Sequence, residues 1–175
     1  MLHLILGGAR SGKSHYAQTL AEASGLPVTL VATGQARDAE MTARIARHRA
    51  ERPAHWLTVE EPLNLADALH KAAAAGQFVL VDCLTLWLMN LLEAGETVFA
   101  AERASLLVQL PTLPGEILFV SNEIGLGVIP MGELSRRFVD EAGWLNQDIA
   151  RLADNVTFVA AGLPLALKTA TKETR

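Results

Sequence analysis

Only one cysteine, Cys83, occurs in 175 residues, so the chain cannot form an internal disulfide. Cys83 falls inside an apolar run, where a thiol serves as a small buried hydrophobe. Positive charge is not in excess either. Fifteen Lys and Arg stand against 19 Asp and Glu, for a net charge of -4. That balance gives no general attraction to nucleic acid, and any anionic ligand must be held by a local site. Long apolar runs are missing: the most apolar stretch, Phe78 to Leu92, is too short for a membrane span and contains Asp82 and Asn90. The first apolar run ends at Gly7 with no targeting pattern, so no transmembrane segment and a cytoplasmic location are expected. His3, His15 and His70 lack metal-ligand spacing, and no structural metal or permanently bound cofactor is expected. There is no internal repeat and no low-complexity linker. Length and a hydrophobic fraction of 50% fit one domain over residues 1–175, with 168–175 expected to fray.

What the chain does have stands at its start. The apolar Leu4-Ile5-Leu6 leads into Gly7-Gly8-Ala9-Arg10-Ser11-Gly12-Lys13-Ser14, which fits the phosphate-loop pattern G-x-x-x-x-G-K-[ST] at every specified position. The glycines permit a tight turn whose N–H groups, together with the next helix N-terminus, converge on phosphate oxygens. Lys13 then reaches the β- and γ-phosphates of a nucleoside triphosphate, and the Ser14 hydroxyl is placed to ligate Mg²⁺.

Apolar periodicity predicts strands at 2–6, 27–33, 77–82, 116–121 and 155–160, and helices near 13–24, 38–51, 64–75, 84–93, 98–110 and 132–153. Strands that are almost wholly apolar, such as Phe78-Val79-Leu80-Val81, indicate a sheet covered on both faces. The expected fold class is therefore α/β: a mostly parallel, doubly wound sheet of the P-loop NTPase type with flanking helices. Leu163–Leu167 offers a short final strand, at an edge because of Pro164. In such sheets ligands collect at the carboxyl ends of strands, where Thr33-Gly34, Asp82 and Ser121-Asn122-Glu123 fall.

Asp82 reads either as a carboxylate beside a nucleotide-bound Mg²⁺ or as a helix N-cap. Glu123 reads as a group orienting a hydroxyl or water, or as a plain loop carboxylate. The cluster from Arg44 to Trp56, RIARHRAERPAHW, is the second informative feature. Arg44 and His48 share a helical face, and Pro53 ends the helix near Arg52. A neutral imidazole between guanidinium groups can attack a nucleotide α-phosphate, because the arginines offset the repulsion. From spacing alone a solvated basic helix is the stronger reading. His55 and Trp56 fit a ligand lid or, for Trp56, simple packing beside the turn.

Taken together, GGARSGKS at 7–14, VATGQARDAEMTARIARHRAERPAHW at 31–56, VLVDCLTLW at 79–87 and VSNEIGLGVIP at 120–130 closely resemble the bifunctional adenosylcobinamide kinase / adenosylcobinamide-phosphate guanylyltransferase family of cobalamin biosynthesis. The resemblance implies that His48 is the covalent guanylylation site. It also implies guanine-nucleotide contacts from the phosphate loop, from Ala32, Thr33 and Gly34, from Arg49, Ala50, Glu51 and Arg52, from Glu60 and from Asp82. Some members carry a second histidine where this chain has Arg47. ATP or GTP would phosphorylate adenosylcobinamide, and GMP would then pass from GTP through His48 to adenosylcobinamide phosphate. The family further suggests a homotrimer, and Ile124–Met131 is a candidate corrinoid-docking loop. Two rivals stay open on the residues alone: a P-loop small-molecule kinase whose arginines form a lid, and a nucleotide-dependent switch ATPase.

Overall fold

The computed structural model describes residues 1–50 and 52–170, with Arg44 described by its backbone only. Strands β1 (Leu2–Gly7), β2 (Val28–Ala32), β3 (Leu57–Glu60), β4 (Phe78–Asp82), β5 (Glu116–Asn122), β6 (Asn155–Ala160) and β7 (Leu163–Lys168) form one seven-stranded sheet in the order β3-β2-β4-β5-β1-β6-β7. All neighbours pair in parallel except β6 and β7. The helices are α1 (Lys13–Ala23), α2 (Ala39–Ala50), α3 (Leu65–Ala72), α4 (Leu84–Ala94), α5 (Glu96–Gln109) and α6 (Glu133–Leu152).

Both faces of the sheet are covered, which is why its central strands read as unbroken apolar runs. On one face Val79, Val81, Ile117 and Phe119 pack against Leu65 and Leu69 of α3, Trp87 and Leu91 of α4, Leu106 of α5 and Leu145 and Ile149 of α6. On the other, Ile5, Leu30, Leu80 and Leu118 pack against Ala17 and Ala21 of α1 and against Trp56. Trp56 is therefore a core residue rather than a lid, whereas His55 is exposed.

Strand β3 is absent from the periodicity reading because Leu57–Glu60 is short and largely exposed. It owes its conformation to backbone pairing with β2. The final strand is present, antiparallel and at the sheet edge, where Pro164 costs no ladder bond to a further neighbour. The untied tail expected from Lys168 is corrected for its first residues. Lys168 closes β7 with its Nζ donating to the Ala150 and Arg151 carbonyls, and Ala170 N donates to Asn155 Oδ1. Residues 171–175 lie outside the described residues.

Parallel pairing puts the strand ends in a row, with Gly7 opposite Asn122 and Ala32 between Glu60 and Asp82. That carboxyl edge carries the candidate site.

Candidate functional site: a phosphate loop beneath a basic helix

The turn from β1 into α1 has no room for a side chain at two of its glycines. A Cβ on Gly7 would lie 2.5 Å from both Ser11 Oγ and the Val159 carbonyl oxygen. Gly12 has φ 95° and a Cβ there would stand 3.0 Å from Gly162 Cα. The loop is tied on both sides, since Glu123 N donates to the Gly7 carbonyl (3.1 Å) and Gly162 N to the Ser11 carbonyl (2.8 Å). Helix α1 starts at Lys13 without a side-chain cap, which leaves its first N–H groups directed at the loop's concavity. Lys13 is buried, with Nζ donating to the Gly8 carbonyl at 2.9 Å, so its ammonium lies over the loop.

Across the cleft stands α2, which has no fully buried residue among those described. Its half-buried residues are Met41, Ile45 and His48, spaced to form one stripe. Asp38 Oδ1 accepts from Met41 N and caps its start. The root of α2 is held by Asn90, a buried amide in the otherwise apolar α4. Asn90 Nδ2 donates to the Thr33 carbonyl (2.8 Å) and to the Pro62 carbonyl (3.0 Å), and its Oδ1 accepts from Arg37 (2.9 Å). Arg37 also pairs with Glu93. The segment leading into α2 is thereby fixed to the body of the protein by polar contacts rather than by apolar packing.

An inner cleft lies between α2 and the strand ends, lined by Lys13, Ser14, Ala32, Gly34, His48, Arg49, Arg52, Glu60 and Asp82. Nine of the residues singled out in the sequence thus come together. Arg49 and Glu60 form an ion pair within it. Burial lowers the Arg52 guanidinium below its ordinary pKa, with Asp82 pulling the other way, yet arginine stays charged through any working pH. The N-cap of α4 is Cys83, without a side-chain hydrogen bond, so the N-cap alternative for Asp82 does not hold. Burial, aided by Asp82, pushes the Cys83 thiol up.

A second, outer cleft lies between α2 and the turn from the phosphate loop into α1. There Glu40, Ala43 and Arg47 face Arg10, Ser11, Gly12 and His15, while Lys13, Ser14 and His48 border both clefts. Gly7, Gly8 and Ala9 line neither. Thr33 is fully buried, and its hydroxyl donates to the Cys83 carbonyl (2.7 Å) and accepts from Cys83 N (3.0 Å), so its side chain is part of the scaffold. Ala50 is exposed outside the cleft, and Glu51 lies outside the described residues. Glu123 Oε1 accepts from Gly125 N at 3.0 Å, which is the loop-carboxylate reading.

Sequence reasoning did not name the apolar lining, Met41, Ile45 and Leu86; Cys83, expected only as a buried hydrophobe, and Asn122, expected only as a strand-end residue, line the cleft as well. The signal for Asn122 was its place at a strand end. For Asn90 it was a lone amide in an apolar helix, LTLWLMNLL. Among the described residues no group of three or more His, Cys, Asp or Glu is placed to hold a metal ion, and no helix is long and apolar enough to cross a membrane.

The family model described as cobinamide kinase / cobinamide phosphate guanyltransferase matches residues 3–167. A bifunctional adenosylcobalamin biosynthesis protein, CobP, of Pseudomonas aeruginosa is 61% identical over 169 residues, covering 96% of this chain and 98% of the relative. The bifunctional adenosylcobalamin biosynthesis protein CobU of Escherichia coli is 37% identical over 182 residues, covering 96% and 100%. A solved structure from Pyrococcus horikoshii OT3 superposes with a TM-score of 0.55 at 9% identity over 98% of this chain and 88% of that one, a likeness of fold alone.

Proposed function

The chain belongs to the cobinamide kinase / cobinamide phosphate guanyltransferase family, and from that premise we propose how its two clefts carry out both reactions. The protein is a bifunctional transferase of cobalamin nucleotide-loop assembly. In the kinase step the γ-phosphoryl group of ATP or GTP passes to the hydroxyl on the aminopropanol arm of adenosylcobinamide. The loop N–H groups and the Lys13 ammonium hold the β- and γ-phosphates and offset the charge that spreads over their oxygens.

In the guanylyltransfer step a ring nitrogen of His48 attacks the α-phosphorus of GTP. A P–N bond forms, the bond to the bridging oxygen breaks, and pyrophosphate leaves with the electron pair. Arg49 and Arg52 neutralise the α-phosphate so that a neutral imidazole can approach it. Glu60 offers its carboxylate to the N–H donors of guanine, and Met41, Ile45 and Leu86 supply apolar surface for the nucleoside. An oxygen of adenosylcobinamide phosphate then displaces the histidine to give adenosylcobinamide-GDP.

The residues present fit Mg²⁺. Ser14 and Asp82 bring hard oxygen donors to one cleft, and two protein ligands suit a cation that keeps waters and phosphate oxygens around it. Bound there, Mg²⁺ would offset the charge on the nucleotide's phosphates. We further propose a cytoplasmic homotrimer, and that Leu126, Val128, Ile129 and Met131, exposed on the loop after β5, contact the corrinoid's apolar surface.

The observation that carries the two-step reading is that Lys13 and His48 line one cleft although they are far apart in sequence. The test is incubation with α-labelled GTP and Mg²⁺, denaturation and peptide mapping, with His48→Ala in parallel. A GMP adduct on the His48 peptide, lost in the variant, is expected. No adduct on intact, nucleotide-binding protein would leave a kinase only.

A further inference from the structure

We propose that the outer cleft is the docking site for the phosphate monoester of the acceptor during guanylyl transfer, an assignment that rests on the guanylyl-histidine reading above. Helix α2 lines two clefts that meet at Lys13, Ser14 and His48. Its Met41 and Ile45 turn to the inner cleft, where Arg49 is already paired with Glu60, whereas Arg47 turns to the outer one. The outer cleft carries Arg10, Lys13, His15 and Arg47 against a single acid, Glu40. A phosphomonoester dianion is attracted to that set, because guanidinium forks match its oxygens. His48 borders both spaces.

The chemistry needs two approaches to one phosphorus. Once GMP is attached to His48, the guanosine occupies the inner cleft and closes that route. In-line displacement brings the acceptor to the face of the phosphorus opposite the P–N bond, the side from which pyrophosphate left, and the outer cleft adjoins the inner one at Lys13, Ser14 and His48. An oxygen of the acceptor phosphate forms the new P–O bond, and the P–N bond breaks with its electron pair returning to the ring. The imidazole leaves neutral because its other nitrogen keeps its proton through both displacements. Arg10 and Arg47 offset the repulsion between the two phosphates as they meet.

The experiment separates the half-reactions. Arg47→Ala and Arg47→Lys are charged with α-labelled GTP, and the isolated adduct is then chased with adenosylcobinamide phosphate. Adduct formation is expected to stay within about threefold of wild type in both, which also reports intact folding. The apparent KM for the acceptor in the chase should rise about tenfold or more in Arg47→Ala, as loss of one charge-assisted contact implies, with the saturating rate little changed. Arg47→Lys should recover part of the loss. An unchanged chase in Arg47→Ala overturns the proposal. So does a parallel loss of adduct formation, which would put Arg47 on the triphosphate of GTP. Absence of adduct in the wild-type protein would overturn the guanylyl-histidine reading, and this assignment with it.

Discussion

Replacing Asn90 tests the idea that polar contacts, rather than apolar packing, hold the root of α2. Asn90 is 5% exposed and uses both ends of its amide, donating to Thr33 and Pro62 and accepting from Arg37. Asn90→Leu keeps the side chain's branching and heavy-atom count and removes all three bonds. The two bonds to backbone carbonyls are worth about 1 kcal/mol each, and leaving those carbonyls unpaired adds roughly another 1 kcal/mol in total after partial rescue by water. The Arg37 contact adds little, because that side chain is 40% exposed and keeps Glu93. The expected loss is about 3 kcal/mol, and at roughly 2–4 °C per kcal/mol for a chain of this size the Tm falls by about 6–12 °C. Urea denaturation with matched slopes measures the loss directly. The same variant, assayed where it is still folded, should lose guanylylation more than kinase turnover, since His48 rides on α2 and Lys13 does not. A loss below about 1 kcal/mol, or equal loss of both activities, would refute the reasoning.

Further outcomes follow from other contacts. Lys13→Ala should lower both transfer reactions by about 100-fold or more, the scale of removing one preorganised charge-stabilising donor, measured as kcat/KM for each. Gly7→Ala places a methyl against Ser11 Oγ and the Val159 carbonyl, and should cost about 1–3 kcal/mol in denaturation as well as weakening nucleotide binding by calorimetry. Glu60→Gln should raise the KM for GTP in adduct formation and leave ATP-driven phosphorylation near wild type; equal effects on the two nucleotides would remove Glu60 from guanine recognition. His3 is half-buried beside Thr157, and that burial holds its pKa below the ordinary 6.5. The unfolded chain then binds more protons, so stability rises with pH through the window up to about 6.5 and is lost as pH falls below it. Urea midpoints between pH 5 and 7.5 should vary less in His3→Gln than in wild type.

Much of the site was legible along the chain because it is built from contiguous segments. The phosphate loop needs glycine where the backbone turns left-handed or has no room for a Cβ, so Gly7 and Gly12 are demanded by local geometry alone. The buried strands announce themselves through uninterrupted apolar runs. Strand β3 did not, because its residues are exposed and its extended form comes from hydrogen bonds to β2, a partner far away in sequence. Trp56 illustrates the same limit in reverse: beside a turn and a histidine it favours packing without excluding a lid, and the approach of β4 and α1 decides for the core.

The sequence by itself therefore determined the local chemistry: a phosphate loop, an apolar parallel sheet, and a helix bearing His48 among arginines. Tertiary structure alone decided the distances between them. Strand order brought Glu60, Asp82 and Asn122 to one edge, and the Asn90 clasp set α2 over the loop. The same placement made α2 line both an inner and an outer cleft, with Ile45 in the one and Arg47 in the other. Periodicity can say that two residues lie on different sides of a helix, but which ligand each side meets depends on what the fold has packed there.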